Sequence, residues 1–475
     1  MGQEIDRIEF TPEDFTRFSE RLAVESSLLA QWMQRQRFSE KEPCIAGVEI
    51  EGWLLDRHYF PVADNQRFLA ELADPLVVPE LSRFNIELNC QPLPMTGPVF
   101  SVLSHQLQSL WARCQAVAHA CEHTLMLIGT LPTLRECDLS MANVSPLNRY
   151  FALNSQVMRL RNGMPVRLDI RGRDHLQLTH GDVMLEAGTT SFQLHVQMPF
   201  SKALRFYNAA QWLAAPMIAV SANAPYLFGH ELWAETRVPL FEQAVDTTGG
   251  DPSLARVTFG NDWLRNSPFA MFEDNLLRFE PLLPLHCDPQ VERFSHVRLH
   301  NGTVWRWNRL LLGENADGQP HVRLEHRVMP AGPTFIDMLA NAALFYGAVY
   351  ALAHHPDVLE DVLPFASVRD NFYQAARSGL EADVVDRNGT RISMATLLLQ
   401  DVLPLAAQGL RSQGVDSSDA ERLLDIIRCR VSTGQNGAVW QRRYMAAHPG
   451  DFVGLTARYL EHQRQGNPVH EWELV

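Results

Sequence analysis

The chain has 475 residues, 46% hydrophobic and 20% charged, an ordinary globular composition that excludes a disordered polymer. Its 41 basic and 55 acidic side chains give a net charge of −14 with no basic run, which argues against nucleic acid and anionic membranes as partners. Seven scattered cysteines without a C-x-x-C pair support neither a zinc ribbon nor a disulfide framework.

The first residues, Met1-Gly2-Gln3-Glu4, are acidic and lack an apolar h-region, so no signal peptide is expected and the chain reads as cytoplasmic. Thr11-Pro12-Glu13-Asp14 starts a helix whose apolar positions recur through Leu22, Leu29 and Met33. Gly47-Val48-Glu49-Ile50-Glu51-Gly52-Trp53 then alternates as a strand, with Glu49, Glu51 and Trp53 on one face. Residues 64–80 read as loop and short helix, leading to a strand with Asn85, Glu87 and Asn89 on one face. Helical periodicity covers 98–123, a buried strand 125–130, and a long connection 138–150 ending at Arg149-Tyr150. In 191–198, Gln193, His195 and Gln197 face away from Phe192, Leu194, Val196 and Met198.

Ser201 is expected to cap a helix running towards Val220, broken at Asn223-Ala224-Pro225-Tyr226, with Arg237 just beyond. Residues 304–309 read as another strand and 313–319 as a hairpin loop. In the next strand, Arg323, Glu325 and Arg327 lie opposite Val322 and Leu324. Thr334 with Asp337 caps the apolar stretch Phe335–Ala353, which Asp337 and Asn341 interrupt, so it reads as a core helix rather than a membrane span. More helices follow, and Ser432 to Gly437 forms a turn before Trp440. No Pro/Gly/Ser-rich linker divides the chain, so 1–475 is expected to be one α+β domain with a helical part from about 333 to 475.

A lone Glu-x-Glu is usually a solvated sheet face. Four strands with the same division are different, because together they would set four carboxylates, an imidazole and two guanidiniums on one surface. Buried carboxylates side by side stay charged only beside cations. That mixture suits a polyanion bound through divalent metal ions, and nucleotide phosphates are the usual case. There is no P-loop and no G-x-G-x-x-G, so neither of those routes to a nucleotide is available.

The segment Gly47 to Glu51, the strands of Glu87 and His195, Asn223-Ala224-Pro225 and Leu324-Glu325-His326-Arg327 occur in the order seen in glutamate–cysteine ligases. The sequence most resembles the carboxylate–amine ligase branch of the glutamine-synthetase-like superfamily, over roughly residues 40 to 445. The resemblance implies a curved antiparallel sheet around ATP, helices packed outside it, and Mg²⁺ between phosphates and carboxylates. It implies that Glu49, His195 and Glu325 hold one metal, and Glu51 and Glu87 the others. Arg327 would stabilise the transferred phosphate and Arg237 would bind a substrate carboxylate. Gln193, Gln197 and Arg323 would line the nucleotide, although the branch often has histidine at the first of these and glycine at the second.

The implied function is ATP-dependent coupling of the γ-carboxylate of glutamate, or a similar acid, to an amine such as cysteine. Two alternatives use the same residues: a non-catalytic nucleotide-binding regulatory protein, and a metal-dependent hydrolase. The sequence identifies neither the acceptor amine nor the oligomeric state, and a homo-oligomer stays open.

Overall fold

The protein's structure, a computed structural model, describes residues 4–288 and 290–474; Met1, Gly2 and Gln3 of the acidic start lie outside it. Twelve of its strands matter here: β1 Ile45–Leu55, β2 Val77–Pro79, β3 Asn85–Asn89, β4 Leu93–Pro94, β5 Thr124–Met126, β6 Val166–Arg171, β7 His175–His180, β8 Ser191–Gln197, β9 Tyr226–Leu227, β10 His230–Glu231, β11 Asn308–Glu314 and β12 Pro320–Pro330. Eight of them form one curled sheet in the order β11-β12-β8-β1-β3-β2, with β4 and β5 pairing the two ends of β1. Every pairing in it is antiparallel. β6 with β7, and β9 with β10, are separate hairpins.

Alternation decides which side of the sheet is core. Ala46, Val48 and Ile50 of β1 and Leu194 and Val196 of β8 are buried, as is Leu324 of β12. The helices Ala203–Ser221 and Phe335–Ala353 pack behind them and against each other. His326 belongs to this apolar side: its ring stacks on Phe345 at 4.1 Å and burial pushes its pKa down to about 3. Tyr346 donates to the Gly47 carbonyl at 2.8 Å, which ties the helix to β1. Phe335–Ala353 is the one helix among the described residues long and apolar enough to cross a membrane, and it is largely buried in this core. This is the α+β arrangement that the resemblance implied.

The first helix, Pro12–Gln34, has the capping box read from Thr11 and Asp14, and Thr334 likewise accepts from Asp337 N at 3.2 Å. Other local readings change. Ser201 does not cap the next helix; its N–H and hydroxyl donate to Glu40, and a 3₁₀ turn over Phe200–Lys202 precedes Ala203–Ser221. The strand expected at 304–309 starts only at Asn308, because Arg306 turns inward onto Asp274 and Asn275. The connection before Tyr150 becomes helix at Asn148, and residues 64–80 contain the additional short strand β2.

Candidate active site

The sheet's other face carries the polar side chains, and strand register brings them together. Glu51 lies opposite Glu87 across β1 and β3, and Glu49 opposite Gln193 across β1 and β8. His195 lies opposite Glu325, and Gln197 opposite Arg323, across β8 and β12. Arg309 of β11 lies opposite Glu325 on its other side. So Glu49, Glu51, Glu87, Gln193, His195, Gln197, Arg323 and Glu325 share one surface, as their spacing predicts.

The two halves of that surface differ in charge compensation. On the β12 side, Arg309 grips Glu325 through both Nε and NH2, and Arg327 NH1 lies 3.5 Å from the same carboxylate. Burial opposes the charge of Glu325, but Arg309, Arg327 and His195 hold its pKa at about 2. Glu49 lies 3.2 Å from His195 Nε2. Burial works against its charge too, yet His195, with Arg323 further off, holds the carboxyl well below the usual range. Both ring nitrogens of His195 are buried without a hydrogen bond of good angle, the state of an imidazole placed as a ligand.

On the β3 side the compensation is weaker: Arg327 and Arg237 act on Glu51 and Arg149 on Glu80, without outweighing burial. Carboxylate oxygens of Glu51, Glu80 and Glu87 all lie within 4.8 Å of one another. Burial, then the charges of Glu51 and Glu186, push Glu80 up to about 8. Burial, then Glu49 and Glu80, push Glu87 well above the carboxylate range. Glu51 is raised by burial despite hydrogen bonds at 2.7 Å from both the N–H and the hydroxyl of Ser191, and one at 3.2 Å from Gln193. Glu186, on the 3₁₀ turn Met184–Gly188, is pushed up to about 7 by burial and by Glu51, against the pull of Arg327. Three hard oxygen donors this close, short of positive charge, are what a divalent cation of the Mg²⁺ class requires.

The remaining predicted residues are placed as follows. Arg327 sits over the Phe241 ring at 5.6 Å and faces Glu325, Glu51 and Glu186. Gln197 donates to Asn315 at 3.0 Å, at the hairpin between β11 and β12. Arg237 is buried at the start of the helix Arg237–Ala244, where NH1 donates to Glu235 at 3.1 Å and to the Val328 carbonyl at 3.2 Å, within electrostatic reach of Glu51. Trp53 turns away into packing, donating to the Ile128 carbonyl at 3.0 Å and stacking on Phe84.

Sequence reasoning missed Glu80 and Glu186. Neither sits in an alternating strand: Glu80 follows the three-residue β2, and Glu186 rides a 3₁₀ turn, so no periodicity marks them. Arg309 was legible only as an arginine within the strand read over 304–309. Its pairing with Glu325 depends on the hairpin register.

Residues 45–459 match the model of glutamate–cysteine ligase family 2. A relative in Trichormus variabilis, provisionally named a glutamate–cysteine ligase 2, is 24% identical over 381 residues, covering 78% of this chain and 82% of that one. Among solved structures, the Francisella tularensis glutamate–cysteine ligase in complex with AMP has a TM-score of 0.59 at 10% identity, covering 92% of this chain and 91% of its own. A bifunctional glutathione synthetase from Pasteurella multocida has a TM-score of 0.48 at 12% identity, with 92% and 55% covered. The Francisella structure shares the fold. Since the match runs from β1 through the acid-bearing strands to the C-terminal helices, the chain belongs to glutamate–cysteine ligase family 2 and is a ligase.

Proposed function

We propose that the chain is a single catalytic domain that joins a carboxylic acid to an amine at the expense of ATP. Its acid substrate is the γ-carboxylate of glutamate or a similar acid, and its acceptor an amine such as cysteine. A carboxylate is unreactive towards amines until one oxygen is phosphorylated, after which the amine displaces phosphate. The observation that carries this reading is the crowded trio Glu51, Glu80 and Glu87, all raised by burial against what the arginines offset, beside the arginines of β11 and β12 on one sheet face. The provisional name of the Trichormus relative and the AMP bound to the Francisella enzyme agree with it.

Glu51, Glu80 and Glu87 fit Mg²⁺ by donor type and spacing, and the buried His195, with Nε2 3.2 Å from Glu49, fits a further ligand position. When bound, the ion would neutralise phosphate charge and supply electrophilic assistance to transfer. The chain's own residues do the rest. Arg327, held on Phe241, meets the charge that develops on the transferred phosphoryl group. Arg309 fixes Glu325 so that Arg327 keeps its direction. Ser191 and Gln193 orient Glu51 from the adjacent strand. Arg323 and Gln197 line the rim towards the nucleotide, and Arg237 supplies positive potential behind Glu51.

The test is ADP release from ATP, Mg²⁺ and glutamate across a panel of amines including cysteine, with Arg327→Ala alongside. Amine-dependent ADP release that falls on the order of 10²–10³-fold in the variant is the expected result, the loss of one preorganised donor to developing charge. Nucleotide binding with no amine-dependent turnover would leave the regulatory reading. Hydrolysis of an amide without ATP would establish the hydrolase instead.

A further inference from the structure

One recessed carboxylate is used by neither half of the polar face. Glu242 lies on the helix Arg237–Ala244, one residue after the Phe241 ring on which Arg327 rests. Its Oε1 accepts two hydrogen bonds at 2.9 Å, from Trp307 Nε1 and from the Tyr373 hydroxyl. Both donors are fixed: Trp307 is 1% exposed and meets Phe241 edge-on at 5.9 Å, while Phe372 bridges Trp307 and Tyr373 at 5.8 and 5.3 Å. Trp307 also accepts the Arg327 N–H on its carbonyl at 3.1 Å, so this group is joined to the catalytic face through two contacts.

A purely structural role would not need a charge here. The amide oxygen of a glutamine accepts the same two bonds without the several kcal/mol that desolvating a carboxylate costs. Burial accordingly drives the Glu242 carboxyl up to about 7 against the help of its two donors. Glu242 nevertheless keeps accessible surface, and among the described residues no lysine, arginine or histidine pairs with it. A carboxylate held at Oε1 by an indole N–H and a phenol hydroxyl, partly accessible and paired with no cation among the described residues, is oriented to accept a primary ammonium ion.

We propose that Glu242 anchors an ammonium group of the substrate that does not itself react, and so selects substrates that carry one. This rests on the ligase reading, and the ammonium belongs either to the acid, as the α-amino group of glutamate, or to a second amine on the acceptor. Two substrate pairs separate these sources: glutamate against glutarate, and a diamine against a monoamine of equal length.

Wild-type protein should prefer the ammonium-bearing member of one pair. Glu242→Gln should abolish that preference, with a fall in kcat/KM on the order of 10²-fold for the preferred member and little change for the other. Tyr373→Phe, which removes one donor and keeps the ring, should lose part of the same preference. Unchanged Tm and ATP binding in both variants would show that the fold is intact. Calorimetric titration with the same four compounds reads the anchor without turnover, so it stands even if wild-type protein releases no ADP and the ligase reading fails. The anchor is overturned if wild-type protein prefers neither member, if Glu242→Gln leaves the preference intact, or if it weakens all four compounds equally.

Discussion

Glu87 is the residue at which electrostatics and chemistry pull hardest in opposite directions. It is 2% exposed, faces Glu51 in register, and shares a space under 5 Å wide with Glu51 and Glu80. Without a cation, the three carboxylates repel in a medium that screens them poorly. Glu87→Gln should therefore raise the Tm of protein kept in EDTA, since it removes a carboxyl whose ionisation burial, Glu49 and Glu80 oppose, and keeps the bond from Asn89 to Oε1. The same substitution should cut Mg²⁺-dependent ADP release by at least about 100-fold, because several kcal/mol of charge stabilisation depend on the bound ion. A Tm that falls while activity persists would mean that the cluster is a structural network and not a cation site. At this scale Glu49, Glu51, Glu87, His195 and Glu325 were legible, since side chains two apart on a strand share a face. Glu80 and Glu186 were not, because a turn residue's direction is set by what it packs on.

At the scale of elements, the sheet is held against two helices, and their neighbour sets how closely they pack. The helices Phe335–Ala353 and Leu403–Ser412 cross at Gly347 and Gly409, where a Cβ on Gly347 would lie 2.3 Å from the Ala406 carbonyl oxygen and one on Gly409 1.9 Å from the Gly347 carbonyl oxygen. No side chain fits without parting the helices. Gly347→Val should lower the Tm measurably, by overpacking that costs about 1–3 kcal/mol or more. Its site geometry should survive, so the KM for ATP should stay near the wild-type value in the fraction that folds. Helix existence and the Thr334 cap could be read from local sequence, because capping and apolar period are local interactions. The crossing could not, and neither could the true start of β11, where burial of Arg306 against Asp274 overrides a strand-like pattern.

The whole molecule carries a net charge of −14, and its most crowded acids lie in one recess rather than spread over the surface. Folding raises the pKa of Glu80 to about 8 and of Glu186 to about 7, from an ordinary value of 4.5. The folded state therefore binds more protons than the unfolded chain between about pH 4.5 and 8, and its stability falls as pH rises through that window. Metal-free protein should show a Tm that drops from pH 5 to pH 8 and levels off above. Mg²⁺ should raise the Tm more at pH 8 than at pH 5, since only ionised carboxylates bind it well. A flat profile in EDTA, or a Mg²⁺ effect independent of pH, would show that these acids are already compensated within the folded chain.

The sequence by itself determined the elements and the chemistry each one offers: strands with one acidic and one apolar face, a capped core helix, and the motif order that places the chain among glutamate–cysteine ligases. Periodicity and capping are interactions between near neighbours, so they are written in the order of residues. The tertiary structure alone decided which charges are answered. Register set Arg309 on Glu325 and crowded Glu51, Glu80 and Glu87 together, where Arg327, Arg237 and Arg149 do not outweigh burial, and packing of the helix Arg237–Ala244 against Trp307 and Tyr373 made an oriented carboxylate of Glu242. Those outcomes depend on residues far apart in the chain meeting at a few ångströms, where the Coulomb energy is settled and no local pattern reaches.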